Sequence, residues 1–114
     1  AQSDGCEPVV KAFQAMGKST EFWNNSDTIA LGLNVPGPLG GRWILETLSE
    51  CNGIAVSARE SELDELTRDF QEESSISASA ECGVVWSVYK ALEKTGWIGP
   101  KDKTILFATG IERG

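Results

Sequence analysis

The stretch Thr28–Gly41, TIALGLNVPGPLGG, constrains this chain more than any other. Its apolar residues, Ile29, Leu31, Leu33, Val35 and Leu39, follow neither a helical nor a strand period. Pro36 and Pro38 each hold φ at about −65° and push the residue before them toward extended geometry. Gly32, Gly37, Gly40 and Gly41 allow backbone shapes that other residues resist. The segment therefore reads as a shaped apolar loop that packs onto another part of the molecule, and loops of this kind carry function more often than regular elements do.

The rest of the composition narrows the functional classes. A chain of 114 residues has room for one domain. Its net charge of −7, with no basic cluster, argues against nucleic acid or an anionic membrane surface as partner. No apolar run approaches the length of a membrane span and no signal-peptide pattern is present, so a cytoplasmic protein is expected. There is no histidine, which rules out an imidazole base or ligand within this chain. Cys6, Cys51 and Cys82 lie far apart and form neither a CxxC pair nor a zinc spacing; three buried, reduced thiols and no metal are expected. The opening AQSDG, without a Met, reads as a processed terminus or as part of a longer protein.

Spacing predicts a helix over Pro8–Met16, with Pro8 in its first turn, Val9, Val10 and Phe13 on one face, and Asp4 as its cap. A polar connection follows over Lys18–Ser26. A second helix is expected over Arg42–Cys51 and a buried strand over Ile54–Val56. Ser57 and Glu60 have the spacing of a capping box, opening a helix whose inner face is Leu63, Leu66 and Phe70 and whose acidic residues, Glu60 among them, form a solvated surface. A weak strand over Ser75–Ala78 leads to a helix starting at Ser79, with Val84, Val85, Val88, Tyr89 and Leu92 at helical spacing and Gly96 at its end. Thr104–Ala108, TILFA, is the clearest strand. Alternating strands and helices predict an α/β fold with a parallel sheet, in which ligands sit at the carboxyl ends of strands. Thr109 and Gly110 are then the first place to look for a ligand.

Each candidate also has a plainer reading. Thr109-Gly110 is an ordinary way to end a strand. Glu81 can contact a ligand, but an acidic residue in the first turn after a Ser79 N-cap is the better account of SASAEC. Trp23, Trp43, Trp86 and Trp97 form no stripe and read as core or interface anchors. No nucleotide-binding glycine loop, nucleophile elbow or Cys-His pair occurs.

In order, these segments resemble the C-terminal part of threonine synthase, a pyridoxal-phosphate enzyme of tryptophan-synthase-beta-like fold. QSDGCEPVVKAF resembles the family's Q-(A/S)-E-G-C-x-P-I-x-x-A-F block, and TIALGLNVPGPLGGRWIL its T-I-A-x-G-L-x-V-P-x-P-x-G block, the most specific match. SISASAECGVV aligns with a region ending P-E-G-A-A, where only Glu81 matches. GWIGPKDKTILFATG resembles the closing block that ends N-T-G, with Ala108 in place of the asparagine and Ile111-Glu112-Arg113 after Gly110.

The resemblance implies that residues 1–114 are the C-terminal portion of one α/β pyridoxal-phosphate-binding domain, a partial parallel-sheet sandwich with helices on both faces. It implies conversion of O-phospho-L-homoserine and water to L-threonine and phosphate, with pyridoxal phosphate as cofactor. Thr109 matches the residue that hydrogen-bonds the pyridine nitrogen, with Gly110 beside it, and Ser3 matches the residue lying against the ring. The family's Schiff-base lysine and cofactor-phosphate loop lie upstream, and none of the six lysines here has a similar context. The implied partners are a phosphorylated amino acid and the missing N-terminal portion, which the chain would need for turnover; a homodimer stays open. So do two other readings: a non-catalytic binding module derived from this fold, and a related pyridoxal-phosphate enzyme acting on another phosphorylated amino acid.

Overall fold

The computed structural model describes residues 1–111. Two short parallel strands and four helices form an α/β unit measuring 38 × 36 × 20 Å. Strand β1 (Gln2–Ser3) lies beside β2 (Ser57–Ala58), pairing Gln2 with Ser57 and Ser3 with Ala58. The ladder extends outward through Gln2 N–H to Val56 O (3.1 Å) and Asp4 N–H to Ala58 O (2.8 Å). The buried strand expected at Ile54–Val56 is therefore displaced toward Ser57–Ala58. It is the partner β1 that selects which residues of this apolar run become strand, since an isolated run satisfies no backbone groups.

Helix α1 (Pro8–Gln14) forms as its spacing predicts, burying Pro8, Val9, Val10 and Ala12. Its cap is not Asp4. The side-chain oxygen of Gln2 accepts the N–H groups of both Val9 and Val10 at 3.0 Å, satisfying two of the donors a helix start leaves without partners. Asp4 instead accepts the N–H of Glu60 at 2.9 Å. Gln2→Ala should accordingly cost about 1 kcal/mol by removing the cap. A denaturant midpoint lowered without a change in slope is the expected reading.

Helix α2 (Gly41–Glu50) packs against α1 through Leu45, which meets Val9 and Ala12, with Phe13 and Leu48 at the rim. Helices α3 (Leu63–Ser74) and α4 (Ala80–Lys94) form the most extensive helix pair. They approach closely at Gly83, where a Cβ would stand 2.3 Å from the Thr67 hydroxyl. Phe70 meets Trp86 edge to face, and Trp86 donates its ring N–H to Asp69 at 2.8 Å. The capping box does not form: Ser57 belongs to β2, and a 3-10 turn at Glu60–Glu62 precedes α3. At the far end, Gly96 takes φ of +82° as α4 stops, as expected of its position.

Two further strands expected from the sequence are absent. Neither Ser75–Ala78 nor Thr104–Ala108 is strand. Ser75 is left-handed, φ 59°, closing α3. Thr104–Ala108 has no neighbouring strand among the described residues; Leu106 packs on the Phe70, Ala78 and Cys82 cluster, while Ile105 and Phe107 are 82% and 75% exposed. Alternation sets the faces of a strand, but pairing makes it one. Cys6 and Cys82 are buried and Cys51 is exposed, against the expectation of three buried thiols, because Cys51 falls at the solvent end of α2. Trp43 and Trp97, read as anchors, are mostly exposed. No helix of the described residues is long and apolar enough to cross a membrane.

Candidate functional site

A groove of about 920 Å³ opens between the Thr28–Gly41 loop, the start of α4 and the Thr109–Gly110 segment. Its walls include Ile29, Leu31 and Gly32 on one side and Ser79, Glu81, Thr109 and Gly110 on the other. The loop does not bury all its apolar residues, as its composition suggests. Thr28 and Ala30 turn inward, Ala30 joining Ala58, Leu63 and Val84 in the core, whereas Ile29, Leu31, Val35 and Leu39 face outward. A 3-10 turn at Leu31–Leu33 gives this alternation its shape.

Two carboxylates pin the loop. Glu60 accepts the N–H of Ile29 at 2.6 Å, and Glu81 accepts the N–H of Gly32 at 2.8 Å. Glu60 also receives the hydroxyl of Ser3, which is wholly buried and itself accepts the N–H of Gly5 at 3.0 Å. Burial alone would raise the Glu60 carboxyl, but hydrogen bonds from Ser3, Ile29 and Thr28 more than offset it and hold it below the usual glutamate range. The solvated surface expected at Glu60 is thus a hydrogen-bonded junction between β1, the loop and the start of α3. Burial pushes the Cys6 thiol up, against a weaker opposing hydrogen bond from the backbone of Val35.

At the opposite wall, Ser79 occupies the N-cap position of α4, as the sequence suggests, but its side chain does not cap. The hydroxyl donates to Glu81 and the backbone N–H donates to Gly110 O at 3.2 Å. The Cys82 thiol also donates to Gly110 O, at 3.3 Å. Contact here is close enough that a Cβ on Gly110 would lie 2.1 Å from the Ser79 hydroxyl.

Of the residues singled out in the sequence, Thr109 and Gly110 line the groove and Ser3 does not; Ser3 lies behind the wall, linked to it through Glu60 and Ile29. Thr109 is exposed and its hydroxyl has no hydrogen-bond partner among the described residues. None of the six lysines lines the groove. The departures at Glu112 and Arg113 lie outside the described residues. Among the described residues, no cluster of three or more Cys, Asp or Glu side chains could hold a metal ion. Helix α3 closes the groove with Asp64, Thr67, Arg68 and Gln71, so hydroxyls, carboxylates, a guanidinium and an amide stand among apolar walls, and no lysine amine is offered for covalent attachment. No protein-family model matches the chain, and no curated protein matches it.

From the sequence, Glu60 reads as a capping-box residue on an acidic helix surface, and Glu81 as a first-turn acid or a ligand contact; neither reading includes the hydrogen bonds to the loop. Their partners stand 57 and 49 residues away, at Ser3 and Gly32, and nothing in local spacing encodes such pairings.

Proposed function

We propose that this chain is the C-terminal portion of the pyridoxal-phosphate-binding domain of a threonine synthase-like enzyme, acting on O-phospho-L-homoserine. The observation that carries this reading is convergence. Three of the four segments resembling family blocks, around Ile29–Gly32, Ser79–Glu81 and Thr109–Gly110, meet at one groove although they are separated by up to eighty residues of chain. The groove's volume falls in the range of cofactor sites, roughly 300–1,000 Å³.

The residues present suit the group's non-reactive side. A free hydroxyl on Thr109 can donate a hydrogen bond to a ring nitrogen and Leu31 offers an apolar wall, while Gly110 lets the segment lie directly against Ser79. When bound, the cofactor supplies the electron sink for carbanion chemistry; this chain would hold and orient its ring, and an upstream portion would supply the lysine and the phosphate-binding loop. The exposure of Ile105 and Phe107 supports a larger domain in which the Thr104–Ala108 segment gains a strand partner and the two-strand sheet is one corner of a parallel-sheet sandwich.

Thr109→Ala tests the assignment. In the complete enzyme that this reading implies, the substitution should weaken pyridoxal phosphate about tenfold, the worth of one neutral hydrogen bond in a dry site, and lower threonine formation. Titration of the cofactor's absorbance reads the affinity. Unchanged affinity and turnover would remove Thr109 from the site and, with it, the main support for the function.

A further inference from the structure

The groove's two walls are joined by one side chain. Glu81 projects from the first turn of α4, with one carboxylate oxygen on the N–H of Gly32 at 2.8 Å and the other on the hydroxyl of Ser79. Ser79 in turn holds the Thr109–Gly110 segment, through its own N–H to Gly110 O and through direct contact beneath Gly110. Gly32 belongs to the turn that forms the facing wall. A carboxylate that accepts a backbone N–H and a hydroxyl at once makes two charge-assisted hydrogen bonds, which are shorter and stronger than neutral ones. Among the described residues, Glu81 is the groove side chain that hydrogen-bonds both the Gly32 N–H and Ser79, the residue that holds Gly110.

We propose that Glu81 is a positioning residue that sets the distance between the Leu31–Gly32 turn and the Thr109–Gly110 segment. A ligand seated between them then meets the Thr109 hydroxyl at a fixed spacing. In that last consequence the proposal rests on the cofactor reading above; the bridge itself does not. Glu81 touches no reacting atom in this role. It acts by keeping two backbone segments from drifting apart, which matters because small misplacements of a positioning group cost binding and rate steeply.

The experiment uses the 114-residue chain, with backbone amide exchange and NMR shifts as readouts. In Glu81→Ala, the Gly32 amide should exchange about tenfold faster, and the Thr109 and Gly110 resonances should move. Glu81→Gln keeps an oxygen that can accept the Gly32 N–H, so it should bring Gly32 exchange back to within about threefold of the unmodified chain. Ser79→Ala removes the hydroxyl that links Glu81 to this wall and packs against Gly110, and keeps the N–H on Gly110 O: Thr109 and Gly110 should shift while Gly32 stays protected. The proposal is overturned if Gly32 exchanges equally in Glu81→Ala and the unmodified chain, or if the Gln variant gives no rescue. Should Glu81→Ala fail to fold, Ser79→Ala decides, and unmoved Thr109 and Gly110 resonances sink the bridge. If the exchange results stand while Thr109→Ala leaves the pyridoxal phosphate affinity of the complete enzyme unchanged, the cofactor reading fails and the bridge survives.

Discussion

Gly5→Ala should destabilise the chain by about 3 kcal/mol or more, the largest effect expected of any single methyl group added here. Gly5 sits in the turn between β1 and α1, and a Cβ there would lie 1.9 Å from the backbone oxygen of Asp27 and 2.9 Å from its carbonyl carbon. No rotamer change relieves a clash with main chain. The two segments would have to separate by about 1 Å or more to reach even the tightest tolerated contact. That movement pulls on the Asp27 N–H to Gly5 O bond (3.0 Å) and on Thr28, the next residue, which anchors the buried end of the loop. Gly40→Ala serves as the control, because its Cβ would meet nothing nearer than a Trp43 ring carbon at 3.8 Å. Urea unfolding should show a midpoint drop for the first variant and less than about 0.5 kcal/mol for the second. Equal midpoints would mean that the Gly5–Asp27 approach is looser than described.

The same corner shows what the sequence could and could not convey. Helices α1, α2, α3 and α4 were legible because helix formation is local: apolar spacing, Pro8 at the first turn and Gly96 at a stop each act within a few residues. Strands are pairings, and those were misplaced. The apolar run ends at Val56, and only the arrival of Gln2 and Ser3 from the far end of the chain makes Ser57–Ala58, just beyond it, the strand. TILFA has the strongest strand composition in the chain, yet it lacks a neighbour among the described residues.

The site divides along the same line. The loop's irregular Pro/Gly composition marked it as a shaped element; Thr109 and Gly110 line the groove, although the segment before them is not the sheet strand whose carboxyl end drew attention to them. Glu60 and Glu81 stand out in the sequence, but their pairing with the loop does not. An acidic residue on a helix is most often solvated, and local pattern cannot distinguish the minority whose partners arrive from elsewhere. Gln2 is a parallel case: a polar residue before a helix is read as flanking sequence until its oxygen is seen on two helix N–H groups.

Glu60→Ala should cost about 2–4 kcal/mol, since it strips the acceptor from several donors at once. Ser3 is wholly buried and Thr28 nearly so, and each would keep a hydroxyl inside the protein with its carboxylate partner gone; the Ile29 N–H would lose its partner too. Leaving buried donors unsatisfied costs more than the hydrogen bonds contribute. The effect also carries a pH signature. The folded-state carboxyl of Glu60 is held below its ordinary value, so the folded chain binds this proton less readily than the unfolded chain does. Its stabilisation is fully present above the unfolded glutamate value of about 4.3, shrinks as pH falls through that value, and is gone below the folded one. Glu7 works in the opposite direction, because burial raises its carboxyl against a hydrogen bond from Ser57, with the charge of Asp4 raising it further. Stability curves for the unmodified chain and for Glu60→Gln, taken from about pH 7 to pH 3, isolate Glu60 because Glu7 is common to both. The gap between them should be widest near neutrality and narrow on acidification. A gap that held constant to about pH 3 would mean that the charge on Glu60 does not fasten the loop. If the gap closes as expected, acid should also release the Ile29 wall before the helices unfold, because that wall's backbone N–H is held by the same carboxylate.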